Sequence, residues 1–361
     1  MRLKSLDIFR GLTIVLMLFV NFQDSFPGIY RPFEHSYWDG CTVADMIFPC
    51  FLFIVGVTTH LSISARRKRG ATDKEIVLHI LRRGGILIAL GLFLNAFPFM
   101  PAERLTHFRF YGVLQRIGAA YIIAALLGLR TTARQQIGII AGVLVGYWLT
   151  MRAYSLDIPT ATLAARIDAY VMQGHLPKKG FDSMGILATF PAAMTAMMGM
   201  LCGQWLQSGK KLEVQVLGMA GVGSAAIVAG LLWDQVFHIN RVLWSSSFTV
   251  YTGGIAALTL AICITLVDIF EYTRWGKPFV IFGSNPIAAY VGSTMMMHVL
   301  WIVVKIHEGS SEVPAYDFLY RRGFESWLTP QNAAFFFATT AITLWLLLLY
   351  PLHRRGIFLR V

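Results

Sequence analysis

The sequence predicts an all-α polytopic membrane protein: a single bundle of about ten transmembrane helices, formed by residues 1–361 as one domain, with both termini cytoplasmic. Three observations carry this. The 361 residues are 56% hydrophobic and only 14% charged, against roughly 25% charged in a soluble domain. Apolar runs of about 20 residues, the length that spans a bilayer, recur along the chain. The polar segments between them alternate in charge: one set holds 19 Lys/Arg against 6 Asp/Glu, the other 12 against 13. That asymmetry is the positive-inside bias, which places the first set in the cytoplasm. The net charge of +12 is therefore a topology signal and calls for no nucleic-acid partner.

Ten spans follow in order: 8–24, 41–64, 76–97, 111–129, 136–153, 183–206, 215–235, 246–269, 279–304 and 333–351. Short connections favour one bundle. The longer ones (24–40, 98–110, 154–182, 305–332) all fall on the outer side, hold most of the acidic residues and are expected to shape a mouth there. No cleavage site follows the basic start "MRLKSLDIFR", so no cleavable leader is expected. Cys41, Cys50, Cys202 and Cys263 lack metal spacing and read as small packing groups. No metal is expected.

The first span is too short. Thirteen uncharged residues separate Arg10 from Asp24, about 20 Å of helix against a hydrocarbon core of about 30 Å. Arg10, Asn21 or Asp24 must then sit at depth, facing protein or water, unless Arg10 snorkels to the interface.

The second span opens with "FEHSYWDGCTVADMIFPCF" (33–51). Thr42-Val43-Ala44-Asp45 has the form of a capping box, which explains Asp45 as a helix start but leaves His35 and Trp38-Asp39-Gly40 unexplained. If the first two spans pack antiparallel, Asn21, His35 and Asp45 converge at one level. A histidine held by a carboxylate or amide is a candidate general base or nucleophile, although loop histidines are commonly idle. No GxSxG nucleophile motif is present.

In the fourth span, "GVLQRIG" puts Gln115 and Arg116 inside an apolar helix. A buried intramembrane arginine is a functional candidate, here for lining a substrate cavity or pairing with Asp45, with a structural ion pair as the rival reading. In the ninth, Asn285-Pro286 interrupts the helix, because proline lacks the N–H and disfavours helical geometry before it. His298 reads as a packing residue and His175 as a loop residue within reach of sugar hydroxyls. Tyr30, Trp38, Tyr154, Phe181 and Trp244 suit either sugar stacking or the interfacial aromatic belt.

The segments "RLKSLDIFRGLTIVLMLFVN" (2–21), "HSYWDGCTVADMIFPCFLFIVG" (35–56), "FYGVLQRIGAAY" (110–121), "GILATFPAAMTAMMGMLCGQWL" (185–206), "LWSSSFTVYTGG" (243–254) and "GSNPIAAYVG" (283–292) resemble the heparan-alpha-glucosaminide N-acetyltransferase family of transmembrane acyltransferases. The resemblance runs in order over nearly the whole chain. It lacks the large luminal domain and extra first span of the lysosomal member, which fits a bacterial branch and implies the bacterial inner membrane.

The resemblance implies transfer of acetyl from cytoplasmic acetyl-CoA to an amino sugar or glycan across the membrane, at a glucosamine-type amine or an N-acetylglucosamine hydroxyl. It places the family's active-site histidine on His35 and its companions on Asn21 and Asp45. The CoA phosphates would then meet Arg10, Arg82 and Arg83, with Lys277 as a lesser candidate. Gln115, Arg116 and Asn285 are expected along the donor's path, Asn285 at the pantetheine amides, with a simple kink or a delayed helix start as the rival reading of the Asn285-Pro286 break. Plain positive-inside anchoring is the rival for each arginine. Family members can form homodimers, but no dimerisation face is legible. A different class, an inner-membrane N-acetylglucosamine transporter, shares the intramembrane polar residues and the broken helix. It would require neither a basic His35 nor CoA release.

Overall fold

All ten apolar stretches fold as helices in the computed structural model, which describes residues 3–100, 103–176 and 182–359. In chain order the helices are α1 (Lys4–Asn21), α2 (Val43–Lys68), α3 (Asp73–Ala96), the short α4 (Glu103–Thr106), α5 (Val113–Arg130), α6 (Ala133–Arg152), α7 (Leu163–Val171), α8 (Thr189–Leu206), α9 (Leu212–Asp234), α10 (Ser246–Ile264), α11 (Lys277–Ser284), α12 (Pro286–His298), α13 (Ala315–Tyr320) and α14 (Pro330–Arg354). Among the described residues, seven helical segments are long and apolar enough to cross a membrane. The protein is an all-α, multi-pass membrane protein.

Local sequence sets several helix starts. At Thr72 and Thr132, capping boxes close reciprocally: Glu75 Oε2 accepts the Thr72 N–H at 2.8 Å, and Gln135 Oε1 accepts the Thr132 N–H at 2.9 Å. The span expected at 183–206 begins as helix only at Thr189. Two carboxylates hold the preceding backbone in turns: Asp182 Oδ1 accepts the Met184 N–H at 2.7 Å and Asp168 Oδ1 the Ile186 N–H at 2.9 Å. The ninth span breaks where Asn285-Pro286 demanded it, between α11 and α12.

Helix α8 lies at the centre, buried along most of its length and rich in Ala, Gly and Met. It meets α2 at backbone contact. A Cβ on Gly56 would fall 1.8 Å from the Ala196 carbonyl oxygen, and one on Gly199 2.0 Å from that of Phe53. Small residues allow such approaches, which within a bilayer supply much of the packing energy.

Arg10 donates to the Gly283 carbonyl at 3.3 Å, and Leu359 N–H to Asn285 Oδ1 at 2.8 Å. Both described ends of the chain therefore lie at one end of the bundle, together with Arg66, Arg67, Lys68 and Arg69. The opposite end carries the longer connections. One of these holds a two-stranded antiparallel hairpin, β1 (Lys305–Glu308) with β2 (Ser311–Pro314), that the polar segment "KIHEGSSEVP" did not announce. This layer is pinned to the bundle by aromatic contacts: Phe26 stacks on Tyr320 at 3.7 Å, and Tyr316 Oη donates to the Phe22 carbonyl at 2.7 Å.

Candidate active site

The start of α2 does two jobs with one side chain. Asp45 is fully buried, and its Oδ2 accepts the Thr42 N–H at 3.0 Å, as the capping box requires, and the Ser36 N–H at 3.1 Å. Its Oδ1 faces His35 Nδ1 at 2.8 Å. The two oxygens separate the readings that competed in the sequence: one caps the helix while the other orients the imidazole. A carboxylate on Nδ1 keeps the proton there and leaves Nε2 as the basic nitrogen. The His35 side chain is 30% exposed, so Nε2 has room for a reacting group. Pro49 removes the helical donor that would otherwise reach the Asp45 carbonyl.

A third member, Arg241, was not foreseen. Its Nε lies 2.8 Å from the same Asp45 Oδ1 but is not aligned for a hydrogen bond, so the contact is an ion pair. Burial pulls Arg241 below the usual guanidinium range, and the charges of Asp45 and Asp24 oppose that. Pairing of Asp45 with Arg116, one of the two expectations for that arginine, is corrected here: Arg241 takes the position. Its only sequence signal was a charge two positions before the segment 243–254, on a connection with no motif of its own.

"WDG" is the clasp between the two connections. Gly40 N–H donates to the Ile239 carbonyl at 2.8 Å, Asn240 Nδ2 to Asp39 Oδ1 at 3.3 Å, and Trp38 Nε1 to the Leu156 carbonyl at 2.9 Å. Gly40 adopts φ +100, a left-handed conformation that favours glycine. The loop bearing His35 is thus fastened to the loop bearing Arg241. Asn21 ends α1, half-buried, with no hydrogen bond to His35.

From the basic end of the bundle a cavity of about 630 Å³ runs inward. Arg10, Arg66, Arg82, Arg83 and His79 line its polar part, and Met17, Phe51, Val113, Leu114 and Ile117 its apolar depth. Arg66 and Phe51 are fifteen positions apart on α2, so the cavity extends about 22 Å along that helix. Its inner wall comes within about one helical turn of Asn21, at Met17, and about 9 Å below Asp45, at Phe51. Arg10 faces this cavity rather than lipid, as its depth required. Lys277 is exposed and does not line it.

Three expected donor contacts are placed elsewhere. Gln115 is buried and donates to the Phe110 carbonyl at 3.1 Å. Arg116, fully buried, donates to the Gly185 carbonyl at 3.1 Å and lies over the Trp244 ring at 5.2 Å. Asn285 spends both amide atoms on the backbone after α14. None of the three lines the cavity. Helix geometry explains Gln115 and Arg116: the cavity takes the α5 face of Val113, Leu114 and Ile117, and positions 115 and 116 point elsewhere.

Trp244 is fully buried, donating to Thr195 Oγ1 at 3.2 Å, and so cannot stack on a sugar. Tyr30 is tied to Asn332 at 2.7 Å, Tyr154 lies under Arg166, and Phe181 falls outside the described residues. His175 bonds the Phe108 carbonyl at 2.9 Å and stacks on Phe110, while His298 stacks on Phe97. Cys50, Cys202 and Cys263 are buried among apolar side chains, and Cys41 is half-buried.

The outer layer contains a second charged group, in which Arg109 is bonded to Asp182 by both Nε and Nη2. Nearby, burial and the charge of Asp182 push the Asp168 carboxyl up to about 6, against the pull of the Ile186 N–H and Arg116. A raised carboxyl pKa means that the folded state holds this proton more tightly than the unfolded chain. Stability then increases as pH falls through about 6, by at most on the order of 3 kcal/mol. Thermal unfolding in detergent is expected to shift upward between pH 8 and pH 5.5, and Asp168→Asn to flatten that dependence. An unchanged profile in the variant would contradict the assignment.

The model of the heparan-alpha-glucosaminide N-acetyltransferase catalytic family matches residues 2–233. The enzymes named heparan-alpha-glucosaminide N-acetyltransferase from Homo sapiens and Mus musculus are 26% and 25% identical over alignments of 421 and 423 residues, covering all of this chain and 60% of each relative. The chain thus spans 60% of the length of these curated relatives. His35, Asp45 and the cavity arginines fall within the matched segment, whereas Arg241 and Asn285 lie beyond it. The chain belongs to the heparan-alpha-glucosaminide N-acetyltransferase catalytic family.

Proposed function

We propose that the protein is an acetyl-CoA-dependent N-acetyltransferase that carries an acetyl group through the bacterial inner membrane to an amino sugar or glycan on the outer side. The observation that carries this reading is the arrangement of two half-sites. An arginine-rimmed cavity rises from the basic end of the bundle, and the His35–Asp45–Arg241 group sits about two turns beyond its apolar depth, on the far side.

Arginines suit the phosphates of CoA through their bidentate fork, and the apolar depth suits the pantetheine arm. His35 Nε2 then serves in one of two ways. As a base, it takes the proton of the sugar amine while the amine nitrogen attacks the thioester carbonyl, and the CoA thiolate leaves. As a carrier, it attacks that carbonyl itself, the thiolate leaves, and the amine later displaces the imidazole. Asn21 closes α1 at the level of the site, and its amide is the group assigned to donate to the carbonyl oxygen as negative charge develops. Asp45 holds the Nδ1 proton in both routes, and Arg241 balances its charge.

The test uses purified protein in detergent with acetyl-CoA and a panel of glucosamine-type sugars, following free CoA and acetylated product. Acceptor-dependent CoA release with an N-acetyl product supports the reading. A burst of CoA without acceptor, with acetyl retained on the protein, selects the carrier route. No turnover, together with sugar uptake into proteoliposomes, would replace the enzyme with the transporter.

A further inference from the structure

Beyond the donor arginines, one wall of the cavity comes from the segment after α14. The helix ends in a Schellman arrangement, with Ile357 N–H donating to the Leu352 carbonyl at 2.9 Å and Gly356 N–H to that of His353 at 3.1 Å. Gly356 adopts φ +66, which turns the chain back across the bundle. Asn285, fully buried at the break between α11 and α12, holds the residues beyond that turn. Its Nδ2 donates to the Ile357 carbonyl at 3.0 Å, and its Oδ1 accepts the Leu359 N–H at 2.8 Å. Between these two bonds lies Phe358, 39% exposed. Phe358 and Leu359 line the cavity with Arg10, Arg66, Arg82 and Arg83.

An amide that gives both its donor and its acceptor to a backbone more than seventy positions away acts as a latch. It fixes a half-exposed phenylalanine in the wall of a cavity whose polar lining includes four guanidinium groups beside His79 and the Asp7 carboxylate. An aromatic face beside cations matches a ligand that joins phosphates to a flat heteroaromatic base. This arrangement rests on the donor reading above and deepens it. We infer that residues 356–359 form a strap, latched by Asn285, which presents Phe358 to the nucleotide base of the donor.

The strap acts on the base and not on the thioester, so donors that differ only there separate its role from structural support. With acetyl-CoA, Phe358→Ala is expected to lower kcat/KM about tenfold, the size of one base–aromatic contact. With S-acetylpantetheine, which carries no base, the same variant stays within about twofold of wild type. Phe358→Trp retains wild-type discrimination between the two donors, and Asn285→Ala loses it as Phe358→Ala does. Because Asn285 is buried and its variant is at risk of misfolding, the exposed Phe358 carries the decision. Wild-type protein that binds acetyl-CoA saturably, with Phe358→Ala unchanged on it or equally impaired on both donors, overturns the strap alone. Wild-type protein that binds no acetyl-CoA overturns the donor reading and the strap with it.

Discussion

His35→Ala is expected to abolish acetyl transfer, lowering turnover by about three orders of magnitude, while acetyl-CoA still binds within about twofold of wild type. Removal of a positioned base or nucleophile typically costs about 10²- to 10⁴-fold, and neither of its described neighbours in the site can replace it. Asp45 is engaged by two backbone N–H groups and Arg241, and Arg241 is a cation. The donor cavity does not include His35 among its walls, which is why affinity and turnover should separate. Equilibrium binding of acetyl-CoA and mass-spectrometric detection of product make the comparison. Retention of more than about a tenth of the wild-type rate would remove His35 from the chemistry. A parallel loss of donor binding would instead point to collapse of the loop that Gly40 and Asp39 fasten to Ile239 and Asn240.

How far the sequence reaches into this site depends on how each residue is held. The spans were legible because burial in a bilayer imposes long apolar runs, and the break at Asn285-Pro286 because proline chemistry is local. His35 and Asp45 were legible because the capping box fixes where α2 begins, and the residues just before a helix start fall near its N3 side chain. Arg241 was not, since it reaches Asp45 from a connection almost two hundred positions away, and only the folded bundle brings those loops together. The partners of Gln115, Arg116 and Asn285, found in the connection before α5, the residues before α8 and the strap, were likewise set by the way the chain folds around each helix. A polar residue inside an apolar run announces that it is satisfied by protein or ligand, without announcing by which. That one ambiguity is shared by all three residues, which fall away from the cavity walls.

The other large effect concerns the cavity arginines, which differ in the partners that already occupy them. Arg10 lies 3.5 Å from Asp7, and Arg66 Nη2 lies 3.0 Å from His79 Nε2. Among the described residues, Arg82 and Arg83 are paired with no carboxylate, although Arg83 lies over the Tyr121 ring at 5.1 Å. A phosphate entering the cavity gains most from these two. Hydrogen bonds to charged groups contribute about 1.5–3 kcal/mol each, and neighbouring contacts do not add fully. The Arg82→Gln, Arg83→Gln double variant is therefore expected to lose about 10²- to 10³-fold in acetyl-CoA affinity. The wild-type affinity should itself weaken as salt is raised, because Arg82 is exposed and screened. S-acetylpantetheine, which has no phosphate, should bind the double variant as it binds wild type. Lysine at both positions should restore only part of the loss, since it keeps the charge without the fork. An equal loss for both donors would make the pair structural supports of α3. No loss for either would leave Arg82 and Arg83 as positive-inside anchors, and would place the phosphates nearer Arg10 and Arg66.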